Sequence, residues 1–481
     1  VLRPRAPSPG MTIDRTAETE IARLCRRVVR DEGLPGLSVA VTDADGTLYA
    51  EGFGSRDLAG NRPATPRTLY GIASCTKSFA GVALLQLVES GICDVDDPIS
   101  AYVPVEFKQP EPTLHHLLTH SSGLPSLGVS ETLLARRLRL PDPGIAMGDI
   151  DDFYAHVNGA DAERVDPPGE RFAYCNTGYA LLGEAIESLT GRPFDEYVAE
   201  HVFEPLGMER STFDDHEFSM ADDHMTQYRE TDDGLMASSL PTRDIGQATG
   251  GILASVSELA RYLRLHLNGG EVDGTELLDP NTLARAHVGY VDVPGTSAGR
   301  EGPDRQYGYG WFRDEEFLGD RTLLGHSGSI TVSSAYQGFL PDEELGVAVA
   351  SNTSPAFPLG VVGEGVLAAA LGEDPAESIQ FFRLRRRHGR LAGEYSAYEG
   401  VMNATVERAG ATLRVDFDHP LKDGEAVLFP AEPDESADRR ADAVFQYETV
   451  DATGRREPVE FRVENGEVSL LIDRWRLRRR R

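Results

Sequence analysis

Apolar residues recur along this chain with two different periods, and the stretches where each period holds divide the sequence. Behind Asp14, which is suited to an N-cap, Ile21, Leu24, Cys25, Val28 and Val29 fall at i, i+3, i+4, i+7 and i+8 and predict an amphipathic helix. Leu37–Thr42 and Thr47–Gly52 then read as two strands joined at Asp45-Gly46, a hairpin. The run Ser78-Phe-Ala-Gly-Val-Ala-Leu-Leu-Gln-Leu-Val88 has no charge before Glu89, so its helix is apolar all round and predicted to be buried, with Gly91 placed to end it. Helical spacing dominates from roughly 75 to 270, and strand-like runs return at Leu323–Leu324, Ser333–Leu340 and Leu345–Ser351.

Past residue 372 the pattern changes. Phe381-Phe-Arg-Leu-Arg-Arg-Arg-His-Gly-Arg390 is basic in an otherwise acidic chain and reads as a solvated linker over 373–390. Beyond it Ala404–Phe417, Ala426–Phe429, Ala443–Val450, Val459–Glu464 and Glu467–Leu477 read as strands, with turns at Gly410 and Asn465-Gly466. So many short antiparallel strands predict a small all-β barrel over 391–481, behind a first domain over 14–372. Residues 1–13 lack an apolar segment and read as a disordered lead, with either Val1 or Met11 as the start.

Composition narrows the setting. The chain has 78 Asp plus Glu against 47 Lys plus Arg, a net charge of −31, and only three of its basic residues are lysine: Lys77, Lys108 and Lys422. Acidity with arginine in place of lysine resembles the proteins of salt-in halophiles, where high salt screens the self-repulsion. It argues against a nucleic-acid partner. No apolar run approaches about 20 residues, so no membrane span is expected and a cytoplasmic setting is. Cys25, Cys75, Cys93 and Cys175 read there as reduced, buried thiols. No His, Cys or carboxylate spacing predicts a metal site, and no cofactor is expected.

One of the three lysines stands three residues after a serine, in Ser74-Cys75-Thr76-Lys77. Three residues along a helix place two side chains on one face, about 5–6 Å apart at Cβ, so Ser74 and Lys77 can touch. They would sit at the edge of the dry interior built by the apolar helix, where desolvation favours a neutral amine able to take the serine proton. The helix N-terminus adds N–H groups that would stabilise a developing oxyanion.

Two more motifs follow: Tyr174-Cys175-Asn176, and His326-Ser327-Gly328 at the head of a strand-like run. With these the chain resembles the serine β-lactamase and penicillin-binding-protein superfamily, whose pattern is Ser-x-x-Lys, then Tyr-x-Asn, then Lys-Thr-Gly or His-x-Gly. Leu117-Leu-Thr-His-Ser-Ser-Gly-Leu-Pro125, Gly250-Gly-Ile-Leu-Ala-Ser255 and Tyr307-Gly-Tyr-Gly-Trp311 are similar to that superfamily's stretches too, in its order. The resemblance implies an α+β fold, an antiparallel sheet flanked by helices with an all-helical lobe and the active site between them. It likens the barrel to the lipocalin-like appendage of some relatives, able to cap the cleft or mediate homo-oligomer assembly.

The same resemblance implies roles. Ser74 would be the nucleophile of an acyl-enzyme and Lys77 its base. Tyr174 would shuttle a proton to the leaving group with Lys77 or His326 nearby, and Asn176 would hold Lys77 and the substrate amide. The N–H groups of Ser74 and Ser329 would form the oxyanion hole, worth roughly 3–4 kcal/mol per donor. Ser327 and Gly328 would bind substrate, Gly328 by letting its backbone lie close. His326 replaces a lysine suited to a substrate carboxylate, and being mostly uncharged at neutral pH it tilts the expected reaction toward a D-aminopeptidase, amidase or esterase acting on a small molecule or short peptide. β-Lactam hydrolysis and a non-enzymatic scaffold or filament are the alternatives. Taken singly the residues have structural readings: Tyr174 an aromatic on a helix shoulder, Asn176 an N-cap, His326 a turn residue, His120 an architectural hydrogen-bonding group. A nucleophile elbow at Gly325-His-Ser-Gly-Ser329 fails because its fifth position is not glycine.

Overall fold

The computed structural model describes residues 12–480 except 109, 127, 129–131, 134, 137, 139–140, 142–146, 241–244, 296–304, 419–423, 432–437 and 439. The expected lead therefore lies almost wholly outside the described residues. Two compact units are found, one made of residues up to 295 and 302–372, the other of 296–301 and 373–481.

The first unit is built on a nine-stranded antiparallel sheet. Its order is Val291–Val293, Arg305–Tyr307, Phe312–Phe317, Arg321–Ser329, Ser334–Leu340, Leu345–Ser351, Gly36–Asp43, Thr47–Asp57 and Arg62–Pro63. The early hairpin thus meets the late strands, Val39 facing Val349 in register. Helix Val256–Leu267 packs on one face, where a Cβ on Gly346 would press on Leu263. Helices Arg15–Asp31 and Gly360–Ala370 cover the other face, which carries Tyr336 and its register partner Val349. Burial on both faces explains why Gly36–Asp43, Ser334–Leu340 and Leu345–Ser351 are buried at every position instead of alternating. The helix capped by Asp14, whose side chain accepts from the Ala17 N–H at 2.8 Å, starts where the sequence predicts.

The helical lobe includes Ile150–Gly159 and Asn176–Thr190, and between it and the sheet runs the apolar helix Thr76–Glu89, nearly all of it buried. Gly91, at φ +70°, takes the left-handed turn that ends this helix.

The second unit is a closed barrel of eight strands: Gly393–Ala397, Met402–Ala409, Thr412–Asp418, Gly424–Pro430, Ala443–Val450, Arg456–Glu464, Glu467–Ile472 and Trp475–Arg479. Asn465 and Gly466 both have positive φ, 53° and 79°, as a tight hairpin of right twist requires. Gly410, at φ +62°, makes the expected turn within Ala404–Phe417, whereas Glu467–Leu477, expected as one strand, is a hairpin and Gly393–Ala397 is a further strand. The basic stretch expected as a solvated linker is instead the helix Gln380–Leu391, preceded by Pro375–Ser378. Its Phe382, His388 and Leu391 are buried, and Arg387 is buried too because it donates to the Asp438 carboxylate at 2.7 and 2.5 Å. Charge alone marked the stretch as solvated, and the burial depends on a carboxylate distant in sequence.

Among the described residues no helix is long and apolar enough to cross a membrane. No group of three or more His, Cys, Asp or Glu side chains there converges as a metal site would.

Candidate active site

Ser74 lies on a single 3-10 turn, Ala73–Cys75, that leads into the apolar helix. Ala73 is held at φ +48°, an uncommon conformation for a residue with a Cβ. Neighbours fix the turn: the Ile72 N–H donates to the Ile252 carbonyl at 3.0 Å, and the Ile252 N–H donates to Thr76 Oγ1 at 3.2 Å. The Gly250-Gly251-Ile252 stretch singled out in the sequence therefore buttresses the serine.

Lys77 is fully buried, and its Nζ donates to Ser74 Oγ at 3.1 Å and to the Thr249 carbonyl at 2.8 Å. Its Nζ also stands 4.9 Å from the ring centre of Tyr174 and 5.4 Å from that of Tyr179. The Thr249 contact has no residue-type signature, since a backbone carbonyl makes it; the only hint was the adjacent pair of glycines.

Tyr174 and Asn176 arrive together at the start of helix Asn176–Thr190. Cys175, not Asn176, is the N-cap, its sulfur accepting from the Gly178 N–H at 3.4 Å, while the Asn176 N–H donates to Ser126 Oγ at 3.3 Å. Tyr174 is 36% exposed as a residue, yet desolvation around its hydroxyl end raises the phenol above its ordinary range, and a hydrogen bond with Ser74 pulls it only partly back. The phenol is thus protonated at neutral pH and suited to give a proton, less so to act as a standing base.

His326 is buried, with Nδ1 2.7 Å from the Ser327 carbonyl and Nε2 3.1 Å from the Tyr307 hydroxyl. A carbonyl can only accept, so Nδ1 carries the proton and Nε2 accepts from Tyr307. Burial first, and Lys77 second, lower the imidazole pKa to about 3. The ring is a neutral acceptor among Tyr307, Phe312 and Tyr174, with centroids 5.9, 5.3 and 6.2 Å away.

The other two residues of the His326-Ser327-Gly328 motif face opposite sides of the sheet. Successive strand residues face opposite sides, so His326 and Gly328 share a face and Ser327 does not. Ser327 points to the far side of the sheet, where its Oγ would be 2.9 Å from a Cβ on Gly360. Its side chain is not on the serine's side. Gly328 does permit a close approach, but to the chain itself: a Cβ there would overlap the Ile72 carbonyl oxygen and stand 2.8 Å from the Ser74 nitrogen. The Ser329 hydroxyl pairs with that of Ser354 at 2.6 Å.

The two cysteines inside the motifs are structural. Cys75 Sγ donates to the His326 carbonyl at 3.2 Å, and burial pushes its thiol up to about 12 and that of Cys175 to about 11. Neither supplies a thiolate at neutral pH.

A family model described as Beta-lactamase matches residues 21–371. The chain belongs to that family. A second model, described as the Pab87 octamerisation domain, matches residues 375–478. The octameric penicillin-binding protein homologue from Pyrococcus abyssi has a similar structure, with a TM-score of 0.87 at 31% identity over 96% of this chain and 99% of that one. Protein flp of Staphylococcus aureus strain MW2 is 27% identical over 333 residues, 67% of this chain and 61% of its own. The chain thus spans about three fifths of the length of that relative. A D-aminopeptidase of Gluconobacter oxydans strain 621H is 27% identical over 386 residues, 79% of this chain and 67% of its own. The β-lactamase-family match and the barrel match fall on the two units in turn.

Proposed function

We propose that this chain is a serine hydrolase that cleaves amide or ester bonds through an acyl-enzyme on Ser74. The observation that carries the reading is the 3.1 Å contact between Ser74 Oγ and the Nζ of a fully buried Lys77. Ser74 Oγ attacks the substrate carbonyl carbon while its proton passes to the Lys77 amine. The Ser74 and Ser329 N–H groups stabilise the oxyanion. As the carbonyl re-forms, the bond to the leaving group breaks and Tyr174 protonates that group, regaining a proton from Lys77. A water then attacks the acyl carbon, its proton passing to the same tyrosine and lysine pair, and Ser74 leaves with a proton restored. Asn176, first in its helix beside Tyr174, is assigned to the substrate amide.

A D-aminopeptidase-like or esterase reaction on a small or short-peptide substrate is favoured over β-lactam hydrolysis. The supporting observation is that His326 is buried and accepts at Nε2 from Tyr307, with a pKa lowered to about 3, so this motif position holds no fixed cation for a substrate carboxylate. The similarity to an octameric homologue and the match of residues 375–478 to an octamerisation domain support a homo-oligomer assembled through the barrel. Static light scattering on the full chain tests that, a monomer mass counting against it.

The hydrolase reading is tested by intact-mass analysis after fluorophosphonate treatment, in molar KCl to suit a net charge of −31. One adduct on the native chain and none on Ser74→Ala is expected; an unlabelled, folded native chain overturns the reading.

A further inference from the structure

His120 is fully buried and stands at φ +56° in the turn after the short helix Leu114–Leu118. Glycine or asparagine is the ordinary occupant of such a left-handed position, so a histidine held there is sustained by its surroundings. Its two acceptors bracket one residue. The His120 carbonyl accepts from the Ala173 N–H at 2.7 Å, and its Nδ1 accepts from the Cys175 N–H at 3.0 Å. Between those two donors is Tyr174, whose ring centre lies 4.1 Å from that of His120, with the planes tilted by 37°. Phe172, Tyr179 and Tyr307 close the other sides of the imidazole, at 5.8, 5.0 and 4.8 Å. Because Nδ1 accepts, the proton is on Nε2, which has no hydrogen-bond partner among the described residues. Burial, Lys77 and His326 all disfavour a second proton on the ring, which would put a donor against the Cys175 N–H.

We propose that His120 is the positioning residue of Tyr174: two hydrogen bonds to the flanking amides fix its backbone, and with it the line of proton transfer to the leaving group. The inference rests on the reading of Tyr174 as the group that protonates the leaving group. The residue does not touch the reacting atoms, and its effect is confined to the steps that use Tyr174, of which only acylation depends on the leaving group.

Leaving-group dependence separates this from a general structural role. p-Nitrophenolate departs without a proton whereas an anilide nitrogen needs one, so in kcat/KM, which reports acylation alone, Tyr174→Phe is expected to cost D-alanine p-nitroanilide about 100-fold or more and p-nitrophenyl acetate far less. His120→Phe keeps an aromatic face and loses the Nδ1 acceptor; it is expected to lower the anilide-to-ester ratio at least about tenfold. His120→Asn puts an acceptor where Nδ1 was and tolerates the left-handed backbone, so it is expected to restore the ratio. Equal loss on both substrates in His120→Phe, or a ratio unchanged from the native chain, overturns the proposal. Should His120→Phe fail to fold, a ratio fallen in a folded His120→Asn overturns it equally. If the native chain takes no fluorophosphonate and turns over neither substrate, the hydrolase reading falls by itself. A crystal structure of the His120 variants then decides the positioning claim: Tyr174 displaced in His120→Phe and retained in His120→Asn supports it, and Tyr174 unmoved in both removes it.

Discussion

Gly328 and Ser74 stand in a backbone contact that no other residue type permits: a Cβ on Gly328 would lie 2.8 Å from the Ser74 nitrogen and overlap the Ile72 carbonyl oxygen. The strand Arg321–Ser329 therefore presses directly on the turn that presents the serine. Gly328→Ala should push strand and turn apart, at a cost of about 1–3 kcal/mol of stability from overpacking. Fluorophosphonate labelling should fall far more than thermal stability does, because both expected oxyanion donors move. Labelling at the native rate by a folded Gly328→Ala chain would contradict this account.

Lys77→Arg keeps a long basic side chain but carries a guanidinium that cannot give up its proton. If Lys77 receives the serine proton, labelling should slow by roughly 100- to 10,000-fold. A variant that melts like the native chain and labels at a comparable rate would remove the base from the mechanism.

Buried histidines give stability a defined pH dependence. Burial lowers the pKa of His326 to about 3 and those of His287 and His388 to about 4, all from 6.5, with nearby cations adding to it. Their native pKa values are depressed, so below about pH 6.5 the unfolded chain binds protons that the folded chain refuses. The contribution is whole above pH 6.5 and is lost as pH falls toward 4 and below. Denaturant midpoints should rise with pH from 4 to 6.5 in constant salt, and His326→Gln should flatten part of that slope. His326 itself should show no ring titration by NMR between pH 5 and 8.

In the barrel unit, Arg387 and Asp438 form an ion pair whose side chains are 3% and 1% exposed. Arg387→Met leaves the Asp438 carboxylate buried with its partner gone, a change that costs about 3–5 kcal/mol. Differential scanning calorimetry should show the loss, and Arg387→Met with Asp438→Leu should recover much of it. A single Arg387→Met chain as stable as the native one would mean that the carboxylate has found water.

The active-site elements that could be read in advance are those fixed within a few residues of themselves. Ser74 and Lys77 meet because three residues of helical backbone bring them together, and Asp14, Gly91 and Asn465-Gly466 end or begin their elements by their own backbone chemistry. Tyr174 and His326 were found by the order and spacing of motifs, which identify residues and not the partners they meet.

Tertiary structure alone decided the rest. The Thr249 carbonyl reaches Lys77 from 172 positions away, and any residue type offers a carbonyl. Whether Ser327 or its neighbours face the serine depends on strand register, since a shift of one residue exchanges the two faces. The basic stretch became a half-buried helix because Asp438 folds back to neutralise Arg387, and His120 could be tied to Tyr174 only once both flanking amides were seen to end on it. Local backbone geometry is written in residue type; contacts made by backbone atoms, by parity along a strand, or by a distant counter-charge appear only when the chain has closed on itself.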